Sequence, residues 1–105
     1  MYARRVSIQL KANSGADFTR MIEEDVLPRL RRRTGFKDEL TFLDPNGVDA
    51  VAISLWDRKE SADDYGHDTY PQVLKDLESV VVGTPEVQGY EVSNSTFHTI
   101  AAAGR

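Results

Sequence analysis

A chain of 105 residues with 17 acidic and 13 basic side chains, a formal net charge of −4 and 40% hydrophobic residues fits one domain around one core, with no room for an independent second unit. The absence of cysteine excludes disulfides, thiolate metal sites, iron–sulfur clusters and a cysteine nucleophile, and the net acidity gives nucleic-acid binding no electrostatic support. The first apolar stretch, Val6 to Leu10, is short and broken by Ser7 and Gln9; it is neither a signal peptide nor a membrane span, and the expectation is a soluble cytoplasmic protein.

Ala3 to Leu10 alternates, with Val6, Ile8 and Leu10 on one face, which predicts a strand with one buried side. After the break at Asn13-Ser14-Gly15, Ser14 or Asn13 is expected to cap a helix, with Asp17 placed as the acidic member of a capping box. Phe18, Met21, Ile22, Val26, Leu27 and Leu30 recur at helical spacing. Pro28 should bend this helix, because it removes a backbone donor and crowds the preceding turn. Arg31-Arg32-Arg33 suits a helix C-terminus and Gly35 a left-handed cap.

Phe36 to Leu43 and Val48 to Trp56 are extended in character, and Asp44-Pro45-Asn46-Gly47 between them predicts a hairpin. A second helix is expected from near Ser61, disturbed between Gly66 and Pro71 and resuming with Val73, Leu74 and Leu77; Tyr70-Pro71 can open the second segment, since proline is tolerated at a first helical position. Gly83-Thr84-Pro85 is a turn, and Val87 to about Thr99 alternates as a last strand.

The order strand, helix, strand, strand, helix, strand predicts an α+β fold, a ferredoxin-like βαββαβ sandwich: a four-stranded antiparallel sheet with both helices on one face and the first and third strands central. It forms a single domain over 1–99, with 100–105 as a frayed tail. One sheet face is then uncovered. Val51, Ile53 and Leu55 are expected to face the helices, leaving Ala50, Ala52, Ser54 and Trp56 on the open side, where small residues beside a tryptophan suit burial against a second copy of the chain.

His67, in the disturbed middle of the second helix, is the lone candidate for a catalytic base, with an exposed histidine at a helix break as the plain alternative. Tyr65 and Tyr70 are candidates to hold an aromatic substrate, or else they close the core. Arg4 shares parity with Val6 and Ile8 and is a candidate to bind an anionic group or enolate, unless it reaches past the core to solvent. His98 is assigned to the last strand, at the sheet margin. The two histidines make no metal site, the arginines from Arg29 to Arg33 read as a solvated helix end, and Asp63-Asp64 as surface charge. No nucleophilic triad, phosphate loop or nucleotide fingerprint is present.

The Pro28 break, Thr34-Gly35-Phe36, Ser54-Leu55-Trp56-Asp57 leading to Ala62 and Tyr65, Tyr70-Pro71, and Gly83-Thr84-Pro85 before Tyr90-Glu91-Val92 resemble the antibiotic biosynthesis monooxygenase-like family. The resemblance runs from about Tyr2 to Phe97. It implies a dimeric α/β barrel, in which two sheets pack together, and either cofactor-independent oxygenation of polycyclic aromatics or haem degradation. The asparagine, tryptophan and histidine of the haem-degrading branch are not matched: Arg4 and Arg5 stand where the asparagine is expected, and Gln72 to Lys75 include no histidine.

The leading expectation is therefore a homodimeric enzyme acting on a small aromatic or polyketide-like compound without metal or flavin, with His67 as base, Tyr65 and Tyr70 positioning the substrate and Arg4 stabilising the anion. The alternatives are a non-catalytic ligand-binding or regulatory dimer and a purely structural self-association module. An open cavity on which His67 and Arg4 converge favours the enzyme. A pocket closed by packed Tyr65 and Tyr70 favours the structural module.

Overall fold

The computed structural model describes residues 1–100. Four strands, β1 (Tyr2–Gln9), β2 (Phe36–Leu43), β3 (Asp49–Trp56) and β4 (Glu86–Glu91), form one antiparallel sheet in the order β2-β3-β1-β4. The helical segments are α1 (Gly15–Met21), α2 (Leu27–Arg31), α3 (Lys59–Asp68) and α4 (Tyr70–Leu77), with a π-helical turn over Ile22–Val26 joining the first two. The predicted ferredoxin-like order and the central pair of strands are both present. Of the expected tail, residues 101–105 lie outside the described residues.

Pro28 does not simply kink a continuous helix. The turn before it widens, so that Leu27 N–H reaches back to the Ile22 carbonyl, and Pro28 falls at the start of α2, where its missing donor costs little. The Ser14 side chain makes no capping bond; only its carbonyl enters the helix, accepting from Phe18 N–H at 2.8 Å. Gly35 adopts φ +85°, and any Cβ there would overlap Asp57 and Ser61. The helix itself ends earlier, at the right-handed cap Arg32, so Gly35 is not its left-handed cap; it shapes the turn into β2 and lets that strand approach the start of α3.

In the hairpin, Gly47 has φ +79° and Asn46 accepts from Val48 N–H at 2.9 Å, so the turn is held by an asparagine acting on the backbone that follows. The second helical stretch breaks at Thr69, and Tyr70-Pro71 begins α4 as predicted. The last strand ends at Glu91, well short of Thr99. His98 is thus not a strand residue. It hydrogen-bonds the Asp38 carboxylate from the segment beyond β4, beside a groove on the outer sheet face formed with Leu40, Ile53, Leu55 and Phe97.

The register reverses the expected facing of β3. Residues directly opposite in an antiparallel pair share a face, and Ile8 stands opposite Ala50, Val6 opposite Ala52, Arg4 opposite Ser54 and Tyr2 opposite Trp56. Ala50, Ala52, Ser54 and Trp56 therefore point to the helices and form no outer face. Val51, Ile53 and Leu55 take the outer side instead. Trp56 and Phe18 are fully enclosed at 0% exposure, and the core runs between them through Val6, Ile8, Ile22, Val26, Leu30, Val73 and Leu77. Small alanines in the sheet make room for the helices, while Trp56 fills the end where α3 begins.

Candidate functional site

The helix side of the sheet carries an aromatic ladder. The Phe36 ring meets Trp56 edge-on at 5.6 Å, Trp56 lies against Tyr65 at 5.2 Å, and Tyr65 against Tyr70 at 6.3 Å. Such tilted and edge contacts are the arrangements aromatic quadrupoles favour. The Trp56 indole donates to Ser54 Oγ at 2.9 Å with both groups buried, so the only tryptophan also fixes the orientation of a polar group in the middle of the sheet.

Arg4 ends the ladder. Its guanidinium carbon is 4.0 Å from the centre of the Tyr70 ring and 5.2 Å from that of Tyr65, and the residue is only 8% exposed. Burial lowers its pKa from the ordinary guanidinium value, against the opposing influence of the two phenols; arginine remains a cation throughout the physiological range. Gly66 leaves the flank of α3 open to it, since a Cβ there would stand 3.7 Å from Arg4 Nε and Nη2.

Burial pushes the Tyr65 phenol up to about 12, with Arg4 pulling the other way. Tyr70 is raised for the same first reason, and its neighbourhood to Arg4 offsets part of the shift. Both are neutral phenols near pH 7. The Tyr70 hydroxyl is buried and feels the guanidinium charge, yet meets no partner in full hydrogen-bonding geometry.

These side chains surround a cavity of about 40 Å³ between sheet and helices. Its polar lining is Arg4, Glu39, Ser54, Tyr65 and Tyr70, and the remainder is mostly aliphatic, including Val26, Leu30, Val73 and Leu77. The space holds a few waters and is too small for an aromatic ring. Tyr70 stands beside the break at Thr69, and α4 is tied to α2 by an Arg29–Asp76 ion pair at 2.9 Å.

Of the residues expected to cooperate, the structure brings together Arg4, Tyr65 and Tyr70. It leaves His67 out. That side chain is 90% exposed, with Nδ1 3.1 Å from Asp68 Oδ1, because the cavity side of α3 is taken by Ser61, Ala62 and Tyr65. His67 therefore has no geometry for abstracting a proton from a ligand in this cavity. Sequence reasoning passed over Glu39, which lines the cavity as the only carboxylate there. Burial raises its pKa, and a hydrogen bond from Thr41 partly counters this. Lys37, Asp38 and Glu39 are all charged, and nothing in the sequence singles out which of them a bulge turns towards the helices. Among the described residues no cluster of three or more His, Asp or Glu is placed to hold a metal ion, and no helix is long and apolar enough to cross a membrane.

No family model matches the sequence, and no curated protein is similar to it at the level of sequence. Solved structures are similar in fold. A monooxygenase from the gene ActVA-Orf6 of Streptomyces coelicolor, in complex with nanaomycin D, superposes with TM-score 0.77 at 14% identity over 93% of this chain and 92% of its own. SnoaB, a cofactor-independent oxygenase from Streptomyces nogalater, gives TM-score 0.74 at 11% identity over 90% and 95%. NE2512 from Nitrosomonas europaea, a protein of unknown function, gives 0.76 at 11% over 93% and 94%. The four-stranded sheet, its order and its one-sided helical layer are those of the antibiotic biosynthesis monooxygenase-like fold.

Proposed function

We propose that this protein is a cofactor-independent oxygenase of a small, electron-rich aromatic or polyketide-like compound, working as a homodimer in the cytoplasm. Arg4 carries the reading. It is a buried cation with no ion-pair partner among the described residues, set against two neutral phenols at the edge of an apolar cavity. Burying a charge without a direct ion pair costs on the order of several kcal/mol; the two aromatic faces and the more distant Asp63 offset part of that, and an anionic oxygen on a bound ligand would offset more.

In the chemistry this favours, an aromatic ring system bearing a hydroxyl and a reactive methylene is deprotonated, and Arg4 holds the negative oxygen. Dioxygen, the second substrate, accepts the electrons. The methylene loses two hydrogens and gains one oxygen atom as a carbonyl, and the other oxygen atom leaves as water. Tyr65 and Tyr70 position the ring, and the aliphatic walls keep bulk water out. Because the cavity is smaller than the ligand, a ring binds only if the cavity widens, and Tyr70, beside the break at Thr69, is the side chain placed to move. The fold relationship to SnoaB and to the Streptomyces coelicolor monooxygenase is consistent with this reading.

The outer face supports self-association. Leu40, Phe42 and Tyr90 are about half exposed there, at 46%, 52% and 48%, alongside Val51, Ile53 and Leu55. A second copy of the sheet would bury them.

The tight cavity, with Tyr65 and Tyr70 packed together and His67 outside it, also favours a second reading, a non-catalytic dimer that holds a small ligand or serves self-association alone. Oxygen uptake with a panel of hydroxylated naphthalenes and anthrones separates the two. The oxygenase reading expects turnover that falls about 100-fold or more in kcat/KM in Arg4→Met, with the dimer retained on gel filtration. Tight retention of panel members with no oxygen consumed would select the binding module.

A further inference from the structure

The one carboxylate in the cavity has a place in the fold that the aromatic ladder does not explain. Glu39 stands opposite Ser54 on β3, and Ser54 stands opposite Arg4 on β1. Carboxyl, hydroxyl and guanidinium thus form a row across three strands, all on the helix side. Two strand spacings put the Glu39 and Arg4 backbones about 10 Å apart, and the two side chains form no ion pair. The row is arranged around a gap.

Glu39 reaches this face because of a bulge. Phe36 pairs with Trp56 but Asp38 pairs with Leu55, so one extra residue, Lys37, is absorbed at the start of β2. Without it, Glu39 would point outward. Bulges that re-aim a side chain are a recurrent feature beside functional sites. Thr41 Oγ1 donates to Glu39 Oε2, which fixes the carboxyl group and leaves Oε1 without a partner among the described residues.

We propose that Glu39 is the proton acceptor of this site, taking the hydroxyl proton of a bound phenol on Oε1 while Arg4 holds the phenolate oxygen. The inference rests on the reading that the cavity takes a phenol-like compound. In the step the ligand O–H bond breaks, its electron pair stays on the ligand oxygen, and the proton forms a new bond to Glu39. No oxidant enters at this stage. The charged and titratable groups around Glu39 are Arg4 on β1, Glu23 on the π turn, Tyr65 on α3 and Tyr70 on α4, with Asp38 and His98 bordering the outer groove that Glu39 also reaches. Burial makes Glu39 a stronger base than an exposed glutamate, as a group that must accept a proton near neutrality requires.

The test uses para-nitrophenol as reporter, one pH unit below its own pKa, in weakly buffered solution. The wild-type protein is expected to bind it as the yellow phenolate with no net release of protons, because the proton stays on Glu39. Glu39→Gln keeps an oxygen for the Thr41 bond and so preserves the local fold. It is expected either to bind the neutral phenol or to release about one proton per phenolate formed. Wild-type protein that binds the neutral phenol or releases a full proton, or a glutamine variant that behaves like wild type, would overturn the proposal. No binding to the wild type would sink this inference and the phenol reading together. Proton capture by Glu39 without oxygen uptake on the aromatic panel would remove the oxygenase reading alone. If both hold, Glu39→Gln should lower kcat about 100-fold or more, with little change in KM.

Discussion

The two faces of one sheet have opposite characters, although the same strands build both. On the helix side, Val6, Ile8, Ala50 and Trp56 are buried around a small polar corner made by Arg4, Ser54 and Glu39. On the outer side, Leu40, Phe42 and Tyr90 remain about half exposed, joined by Val51, Ile53 and Leu55 and met by the His98–Asp38 contact at the sheet margin. On the helix side two charged groups, Arg4 and Glu39, meet the core; the outer face also carries charge, with Arg5 opposite Ile53 and Asp38 opposite Leu55. Exposed aliphatic and aromatic groups are interspersed there with polar ones, and a second copy of the sheet would cover them.

The most damaging way to break the helix side is Trp56→Ala, which empties the space between Phe36 and Tyr65 and unseats Ser54. It should cost about 3–5 kcal/mol in urea unfolding, a large part of a typical domain's stability. Phe42→Asp should leave the unfolding of the isolated chain nearly unchanged while raising the dimer dissociation constant about 30-fold, or ~2 kcal/mol, as read by sedimentation. A wild-type chain that stays monomeric at high concentration would instead leave the outer face as a solvated surface.

A subtler probe of the helix side is pH. Because Tyr65 is raised from 10.0 to about 12 in the folded protein, the unfolded chain ionises first. Stability from this group is intact below about pH 10 and is lost as the pH rises towards 12. Tyr65→Phe should flatten that alkaline loss in thermal melts taken across the range. The smallest expected effect is at Gly66, where a Cβ would make only ordinary contact with Arg4 at 3.7 Å. Gly66→Ala should raise stability by about 0.5–1 kcal/mol through helix propensity. A fall instead would show that Arg4 has no slack on that flank.

Local chemistry made most of the fold legible. Gly35, Asn46-Gly47 and Tyr70-Pro71 each act through their own backbone, and each marks its turn or helix start in the sequence as it does in the structure. Facing was harder. Alternation in β3 separates Ala50, Ala52, Ser54 and Trp56 from Val51, Ile53 and Leu55, but it does not say which set turns inward. The intuition that large residues fill the core fails here because the helices themselves supply the bulk. Glu39 was hidden for a related reason, since the bulge at Lys37 reverses parity partway along β2 and leaves no mark in composition. His67 was attractive for its chemistry alone; its direction depends on the rotation of α3, which is fixed by Tyr65 and Ala62 packing on the sheet.

The widened turn at Ile22–Val26 bears on how this chain can change. Phe18, Ile22, Val26 and Leu30 are all buried, each four residues after the last. In an unbroken α-helix, four residues overshoot a full turn by about 40°, so this stripe would drift by roughly 120° from first to last. The π turn takes up part of that drift and keeps Leu30 over the sheet. A single-residue deletion within 22–26 would thus give a more regular helix and a worse protein, with Val26 and Leu30 rotated away from the cavity they line. Length in this stretch is under tighter constraint than residue identity, so homologues that differ freely in side chains here should still keep its residue count.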